Sequence, residues 1–369
     1  MPRMTQDLLM VGSIPLPTVG DVFTTCSDMF GEHLPCVPDG EVGPRLVWVS
    51  YLYERFKTLA EVEFKPIPPE MRGDMDVRYN RVAAARGAVH ADRADNHLVV
   101  RQGVGQIRLK DLGYSAAAIS SYSQFTKLRD EGVIPAHMRF QVAIPFTRGA
   151  FGNYFRKPDD YRIMEEAYEE VAKRELAEII DAIPARDLAI QWDVCSEILD
   201  VDGYWPWWPA GDRDQKIAMN SDLVRRLDMD KLPDDAWLGF HICYGTMGGW
   251  PMLKPESVAS SVALVNALVA KTPRQTDFVH IPAGRKAFGA DYFAGLADLD
   301  IGDAKLYLGL IHDSEDGLDD FRRRLGAAKE HRADFGLASV CGYGRCNPEE
   351  LAHALDVHRA VMEDVAKGA

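Results

Sequence analysis

Three residues of the sequence have side chains that together could hold a metal ion. His241 and Cys243 are two positions apart in an apolar, β-rich segment, and a strand would place both side chains on the same face. Cys341 ends another such segment much further along the chain and could supply a third ligand. Imidazole and thiolate groups together are a donor set that selects zinc. The sequence therefore predicts a Zn²⁺ site made by His241, Cys243 and Cys341.

These ligands need a fold that brings separate strands to one place. In the second half of the chain, apolar β-rich segments predict strands at residues 188–194, 238–244, 278–281, 306–311 and 336–341. The segments between them have the apolar spacing of amphipathic helices, and Asn347 before Pro348 is a typical N-cap. Strands that alternate with helices of this length are typical of βαβ units and a parallel sheet.

The first half of the chain adds predicted strands at residues 8–14, 98–107 and 140–145. Eight strands in 369 residues predict an α/β fold, a single (β/α)₈ TIM barrel domain over residues 1–369. Residues 26–95, rich in Arg, Pro and Asp, are predicted to be a long irregular insertion after the first strand, with some helix near residues 47–59. An open doubly wound sheet is the alternative, but such sheets usually have a glycine-rich phosphate turn after the first strand.

Active sites of such barrels lie at the carboxyl ends of the strands, so polar residues at these ends are candidates. In the second half of the chain they are Asp193, His241, Cys243, His280, His312 and Cys341. In the first half, the loop PDGEVG contains Asp39 and Glu41, and its Pro and Gly residues restrict the backbone. Asp39 is a candidate for substrate binding, and Glu41 is a candidate for substrate binding or acid–base catalysis.

An aromatic segment, Tyr-Trp-Pro-Trp-Trp-Pro at residues 204–209, follows the strand predicted at 188–194. Its Trp205 and Trp207, with Tyr244 and Tyr343 near other strand ends, could form the wall of a pocket for a flat aromatic substrate. Packing within the loop or a contact between subunits is the alternative. We treat these four aromatic residues as candidates for substrate binding.

Four short motifs have counterparts in one enzyme family. The family's GSFP-like first strand is matched by Gly12-Ser13-Ile14-Pro15, and its IQ-x-D strand by Ile190-Gln191-Trp192-Asp193. Its H-x-CY zinc strand is matched by His241-Ile242-Cys243-Tyr244, and the CG of its last strand by Cys341-Gly342. Ile311-His312 also matches an IH pair of that family. Over most of residues 8–20 and 160–365, the chain resembles the catalytic barrel of cobalamin-independent methionine synthase and its single-barrel relatives.

The resemblance implies a zinc ion that activates a substrate thiol, whose thiolate attacks an activated methyl group. It implies that His241, Cys243 and Cys341 bind the zinc, that Asp193 binds a polar group of the substrate, and that His312 transfers protons. The chain departs from the family pattern in two places. Pro282 stands where the family has a glutamate ligand, so that His280, water or substrate would fill the fourth position. The family's DEPA run is replaced by Asp193-Val194-Cys195-Ser196, followed by Glu197, a candidate for substrate binding.

The composition restricts the partners and the compartment. The formal net charge of −14 disfavours nucleic acid, because an acidic surface repels phosphate backbones. The chain has no run of about 18 apolar residues, so no membrane span is predicted, and no signal-peptide cleavage site follows its first apolar segment. We therefore expect a cytoplasmic protein with reduced cysteines and a small-molecule substrate, and the sequence leaves a homo-oligomer open.

Three functions are compatible with these residues. The preferred one is a zinc-dependent transferase that moves a methyl or other one-carbon group onto or from a thiol or small organic substrate. The second is a zinc-dependent lyase or demethylase that acts on an aromatic compound and releases a one-carbon fragment such as formaldehyde. The third is a metal-free barrel that binds a ligand or decarboxylates a tetrapyrrole, as uroporphyrinogen decarboxylase of the same superfamily does.

Overall fold

Eight parallel strands form one sheet that curves into a nearly closed barrel in the computed structural model, which describes residues 7–72, 95–205, 208, 210–246, 250–312 and 317–368. The strands of this part of the chain are β1 (Leu8–Leu9), β2 (Cys36–Pro38), β3 (Val62–Pro66), β4 (Asn96–Val100), β5 (Arg139–Pro145), β6 (Leu188–Val194), β7 (Trp237–Ile242), β8 (Phe278–Pro282), β9 (Lys305–Ile311) and β10 (Gly336–Ser339). Around the barrel the order is β1, β10, β9, β8, β7, β6, β5, β2. The predicted α/β (β/α)₈ TIM barrel is confirmed.

Helices follow most of the barrel strands along the chain. They are α1 (Val19–Phe30), α2 (Ser50–Phe56), α3 (Tyr114–Asp130), α4 (Pro158–Ala182), α5 (Ser196–Val201), α6 (Arg213–Ser221), α7 (Ala259–Lys271), α8 (Ala290–Phe293), α9 (Leu318–Lys329) and α10 (Pro348–Gly368). Asn347 Oδ1 accepts the backbone N–H of Glu350 at 2.9 Å, so the predicted N-cap of α10 is confirmed. None of the helices in the described ranges is long and apolar enough to cross a membrane.

Side chains of the barrel strands alternate between the interior of the barrel and the layer beneath the helices. On β6, Leu188, Ile190 and Trp192 join the large core, whereas Ala189 belongs to a separate small cluster with residues of the other barrel strands. Gln191, the next interior residue, donates to the carbonyl oxygen of Val11 at 2.7 Å across the barrel. Because the period of a strand is two, Asp193 lies on the same interior face, at the carboxyl end.

The strand register places polar residues at one level of the barrel. Asp193 of β6 pairs with His241 of β7, and His241 pairs with His280 of β8. Residues that pair in neighbouring parallel strands point to the same side of the sheet. The three side chains are therefore neighbours at the carboxyl-terminal mouth of the barrel.

The first half of the chain differs from its prediction in two places. Residues 98–107 do not supply a barrel strand, because β4 pairs antiparallel with β3 in a separate two-stranded sheet. The second barrel strand is β2, which pairs with β5 and lies inside the range 26–95 that was expected to be irregular. β2 has only three residues, too few for a recognisable period-two pattern. The insertion therefore begins after the second strand, and α2 lies within the helix expected near residues 47–59.

Candidate metal centre

His241, Cys243 and Cys341 meet at the carboxyl-terminal mouth of the barrel. One possible ligand atom from each residue lies within 4.8 Å of those of the other two. The two sulfur atoms are 3.2 Å apart, and Cys341 Sγ lies 3.8 Å from His241 Nε2. Both cysteines are free, since a covalent S–S bond measures about 2.05 Å. The structure thus brings together the three residues that the sequence predicts as zinc ligands.

Close backbone packing holds the loop of Cys341 in this place. A Cβ atom on Gly342 would lie 2.8 Å from the backbone nitrogen of Ser13, and one on Gly344 would lie 2.0 Å from the carbonyl oxygen of Leu46. Both distances are shorter than a Cβ atom tolerates, so only glycine fits at these positions. The Gly-Ser of the first motif and the Cys-Gly of the last motif are therefore in direct contact. This contact is a physical reason for the presence of both motifs in the sequence.

Burial and neighbouring side chains favour the neutral forms of all three residues. The pKa of the Cys243 thiol is raised, first by hydrogen bonding with Cys195. The pKa of the Cys341 thiol is raised by hydrogen bonding with Cys243 and by burial. Burial, and then the neighbouring His280, lower the pKa of His241, which leaves a neutral ring able to act as a ligand.

The donor set fits a zinc ion. A divalent cation deprotonates the thiols that coordinate it, so it would supply the positive charge that two buried thiolates need. One imidazole nitrogen and two sulfur atoms are ligands that zinc prefers, and catalytic zinc sites keep three protein ligands and one open position. His241, Cys243 and Cys341 match that arrangement in residue type and in convergence.

A pocket with about 730 Å³ of empty space, part of it open to solvent, lies beside the three residues. Besides His241, Cys243 and Cys341, the polar side chains in its lining include Ser13, Glu41, Ser50, Asn153, Asp193, Thr246 and Arg345. Trp48 and Tyr154 contribute aromatic surface. The arrangement can therefore bind a small molecule next to a metal ion and next to two carboxyl groups.

Asp193 is held in a fixed orientation at the wall of this pocket. Its Oδ1 accepts from Gln191 Nε2 at 2.9 Å, and its Oδ2 accepts from the indole N–H of Trp48 at 3.0 Å. Burial and then the nearby Glu41 raise the pKa of Asp193 well above its ordinary value. A carboxyl group fixed in this way can orient a polar group of a substrate without moving itself.

Glu41 is the second carboxyl group of the pocket. Its Oε2 accepts a hydrogen bond from the Ser13 hydroxyl, and its backbone lies in the left-handed region with φ of 52°. Burial raises its pKa to about 7, an effect that the Ser13 hydrogen bond and Arg45 oppose. A group with a pKa near the ambient pH is well suited to give and take protons.

Asp39 and Glu197, both predicted to bind substrate, are instead engaged in supporting the surrounding backbone. Asp39 forms an ion pair with Arg45 at 2.6 Å and accepts the backbone N–H of Glu41 at 2.9 Å. Glu197 Oε1 accepts the backbone N–H of Arg148 at 2.8 Å in the turn after β5. Neither carboxylate belongs to the lining of the pocket as far as the structure describes it.

Three of the four residues predicted to form an aromatic wall lie apart from the pocket lining that the structure describes. Trp205 donates from its indole N–H to the Ser196 carbonyl at 3.1 Å and is buried in the core. Tyr244 donates to Asp202 at 3.0 Å, and the Tyr343 hydroxyl lies 3.3 Å from the His358 ring. These three aromatic side chains are absent from the described lining of the pocket, and the prediction for Trp207 lies outside the described residues.

His312, predicted to transfer protons, lines a second cavity of about 460 Å³ together with Phe321 and Arg324. Its ring packs edge-on against Trp250, with the ring centroids 5.5 Å apart. Burial and then nearby arginine side chains lower its pKa well below the ordinary value. The structure does not bring His312 into the described lining of the pocket, whereas Glu41 is part of that lining.

His280, considered from the sequence as a fourth metal ligand, lies beside His241 rather than among the ligands. Its Nδ1 is 2.6 Å from His241 Nδ1, and its Nε2 is 3.0 Å from the carbonyl oxygen of Ser339. Both ring nitrogens therefore have protein partners. A place in the metal coordination shell would require His280 to give up one of these contacts.

Sequence reasoning missed several side chains of the pocket. Trp48 and Asn153 come from irregular segments that carry no periodic signal. Arg345 contributes a positive charge that lowers the pKa of Cys341, against the stronger effects that raise it. Cys195 belongs to the buried core, and it also lines the pocket and interacts with Cys243. Cys195 stands two residues after Asp193, and this spacing was the signal in the sequence that could have placed it at the pocket.

Comparison with solved structures finds chains that are similar to this one. A B12-independent methionine synthase from Shewanella sp. W3-18-1, solved in complex with selenomethionine, aligns with a TM-score of 0.60 and 16% identity over 99% of this chain and 98% of that chain. A methyltransferase from Methanosarcina mazei aligns with a TM-score of 0.46 and 12% identity over 98% and 93% of the two chains. No protein-family model matches the chain, and no curated protein matches it. The resemblance to cobalamin-independent methionine synthase that four motifs indicated is thus confirmed at the level of the fold.

Proposed function

We propose that this chain is a zinc-dependent transferase that moves a methyl or other one-carbon group onto or from a thiol or small organic substrate. The observation that carries the proposal is the convergence of His241, Cys243 and Cys341 beside a pocket that also contains Asp193 and Glu41. The fold shared with a B12-independent methionine synthase supports the same reading.

His241, Cys243 and Cys341 would hold the zinc ion, and we assign the fourth position to the substrate. Both ring nitrogens of His280 are engaged elsewhere, and Pro282 has no side-chain donor. When bound there, zinc lowers the pKa of a substrate thiol or hydroxyl so that it becomes a nucleophile at neutral pH.

Residues of the chain orient the substrate and balance the protons of the transfer. Asp193, fixed by Gln191 and Trp48, accepts or donates a hydrogen bond to a polar group of the substrate. Glu41 takes the proton of the attacking thiol. As the new sulfur–carbon bond forms, the bond between the methyl group and its donor breaks, and the leaving group keeps the electron pair. Glu41 then returns the proton to the leaving group.

Metal analysis and a transfer assay test the proposal together. We expect purified protein to contain one zinc ion per chain and to convert a thiol and an activated methyl donor into a methylated thiol. Cys341→Ser should lose both the zinc and the product, whereas Cys346→Ser, which alters another half-buried cysteine nearby, should keep them. Wild-type protein without zinc, or a Cys341→Ser variant with full zinc content and turnover, would contradict the proposal.

One observation favours a second candidate with the same metal. Trp48 and Tyr154 place aromatic surface in the pocket, although they are not the residues expected from the sequence. A zinc-dependent lyase or demethylase could use them to hold an aromatic compound, with the zinc acting as a Lewis acid on its oxygen. Release of formaldehyde from an aromatic substrate without any added thiol would favour this candidate, and formation of a methylated thiol would favour the transferase.

A further inference from the structure

Two buried histidines form a direct pair at the metal centre. The rings of His241 and His280 have centroids 4.7 Å apart, and their Nδ1 atoms are 2.6 Å apart. The exposed fractions of the two residues are 2% and 0%, so protein groups decide their hydrogen bonding. The second nitrogen of His280 faces the Ser339 carbonyl oxygen at 3.0 Å.

The contact with Ser339 determines which nitrogen carries each proton. A carbonyl oxygen can only accept, so His280 carries its hydrogen on Nε2. In a neutral imidazole the other nitrogen is then an acceptor, so His280 Nδ1 accepts from His241 Nδ1–H. His241 consequently has no hydrogen on Nε2. This is the nitrogen that lies 3.8 Å from Cys341 Sγ and faces the proposed metal.

We propose that His280 is a positioning residue that holds His241 in the tautomer and ring orientation required for metal binding through Nε2. The inference rests on the proposed zinc site. It assigns His280 the part that a carboxylate or a backbone carbonyl usually plays behind a metal-bound histidine. His280 accepts a hydrogen bond from His241 and itself donates one to the Ser339 carbonyl oxygen.

The surroundings of His280 are built to hold its ring. A Cβ atom on Gly309 would lie 2.8 Å from His280 Nε2, so the glycine of β9 leaves the space that the ring occupies. The Ser339 hydroxyl donates to the Cys341 carbonyl oxygen at 2.8 Å. The contacts from His241 through His280 and Ser339 to Cys341 therefore link the proposed ligand inside β7 to the proposed ligand that follows β10.

Zinc affinity provides the first test, because it does not depend on turnover. In competition with a chromophoric chelator, His280→Leu should bind zinc about 10–100-fold more weakly than wild type. His280→Asn places an amide oxygen near the position of Nδ1 and should recover most of the loss. His97→Leu removes a buried histidine outside the pocket and should leave the affinity unchanged. Equal affinity of His280→Leu and wild type would overturn the proposal.

Cobalt substitution separates positioning from ligation. The sulfur-to-cobalt charge-transfer bands and the d–d bands of saturated His280→Leu should match those of wild type, because the ligand set is unchanged. A spectrum that reports one ligand fewer would identify His280 as a ligand and would overturn the positioning role.

Nitrogen NMR of histidine-labelled wild-type protein covers the case in which the variants fail to fold. We expect His241 to carry its proton on Nδ1 and His280 to carry its proton on Nε2, in the metal-free protein as well as with zinc. The reverse tautomer of His241 would overturn the proposal. A wild-type protein that binds no zinc but shows these tautomers would contradict the proposed function and leave the histidine pair in place.

Discussion

The two sides of the pocket are built in different ways. On the metal side, His241 lies inside β7 and Cys243 is the first residue after β7. The pairing of β7 with β6 and β8 fixes the level of these two residues in the barrel. The acid side takes Glu41 and Trp48 from irregular backbone after β2. Glu41 and Trp48 both have positive φ, at 52° and 53°.

The difference shows how each side of the pocket fixes the positions of its functional groups. On the metal side, the strand register places His241 and Cys243, so ordinary backbone geometry is enough for these two donors. On the acid side, Glu41 and Trp48 both hold a positive φ, and such sparsely populated backbone conformations cost about 1–3 kcal/mol each. Strain of this kind persists where the surrounding structure overdetermines it, and it clusters at functional sites. We infer that the acid side is maintained for the chemistry of the pocket rather than for stability.

The largest effect is expected on the metal side. Cys243→Ser removes a proposed ligand and should weaken zinc binding by more than about 100-fold, beyond the range for residues that only support a ligand. Cys195→Ser is the matched control, because the Cys195 thiol lines the same pocket and interacts with Cys243 but lies outside the group of converging donors. Zinc content by mass spectrometry under native conditions measures both variants. Equal zinc loss in the two variants would show that the metal side includes Cys195.

The next largest effect is expected on the acid side, without any loss of metal. Glu41→Gln should lower kcat by about 10²–10⁴-fold, because the amide cannot transfer protons. Its zinc content should equal that of wild type, since Glu41 is not one of the converging donors. Kinetics and metal analysis on the same preparation check this. Loss of zinc from Glu41→Gln would mean that the two sides do not act separately.

The same substitution should change how stability depends on pH. In the folded protein the pKa of Glu41 is raised from 4.5 to about 7, so the folded state retains a proton that the unfolded state releases. The free energy of unfolding therefore falls as pH rises from about 4.5 to 7, by up to about 3 kcal/mol for this group. Glu41→Gln lacks this titration. Relative to wild type, the variant should gain stability between pH 4.5 and pH 8 in urea unfolding, and a constant difference would refute the burial argument.

The smallest effect is expected for the link between the acid side and β6. Trp48→Phe keeps an aromatic ring in the pocket but removes the indole N–H that donates to Asp193 at 3.0 Å. The loss of one hydrogen bond of about 1–2 kcal/mol should reduce kcat/KM roughly tenfold. Trp205→Phe removes an indole donor in the core and is the matched control. Similar kinetics for the two variants would mean that Trp48 does not orient Asp193.

Most of the metal side could be predicted from the sequence. The spacing of His241 and Cys243 needs only the period of a strand to place both side chains on one face, and Cys341 lies in a motif of its own. The eight-stranded barrel also follows from the alternation of strands and helices in the second half of the chain. His280 was placed at the right level, but a sequence cannot show which atoms its two ring nitrogens contact.

The acid side could not be predicted to the same extent, for physical reasons. β2 has three residues and so gives almost no periodic signal, while the strand predicted at residues 98–107 belongs in part to the separate sheet of β3 and β4. The contacts of Asp39 with Arg45 and of Trp48 with Asp193 depend on irregular backbone. Glu41 was identified as a candidate, and its raised pKa depends on burial that only the folded chain provides.

The place of Cys341 in the barrel has a consequence for assembly. β10 pairs with β1 on one side and with β9 on the other, so it closes the gap between the earliest and latest strands of the chain. A nascent chain that has emerged only as far as β8 contains His241 and Cys243 but not the second sulfur donor. A captured metal ion would then stabilise the closing seam by mass action, and a strong chelator would loosen it. Loading of the proposed metal would thus report that the barrel is complete.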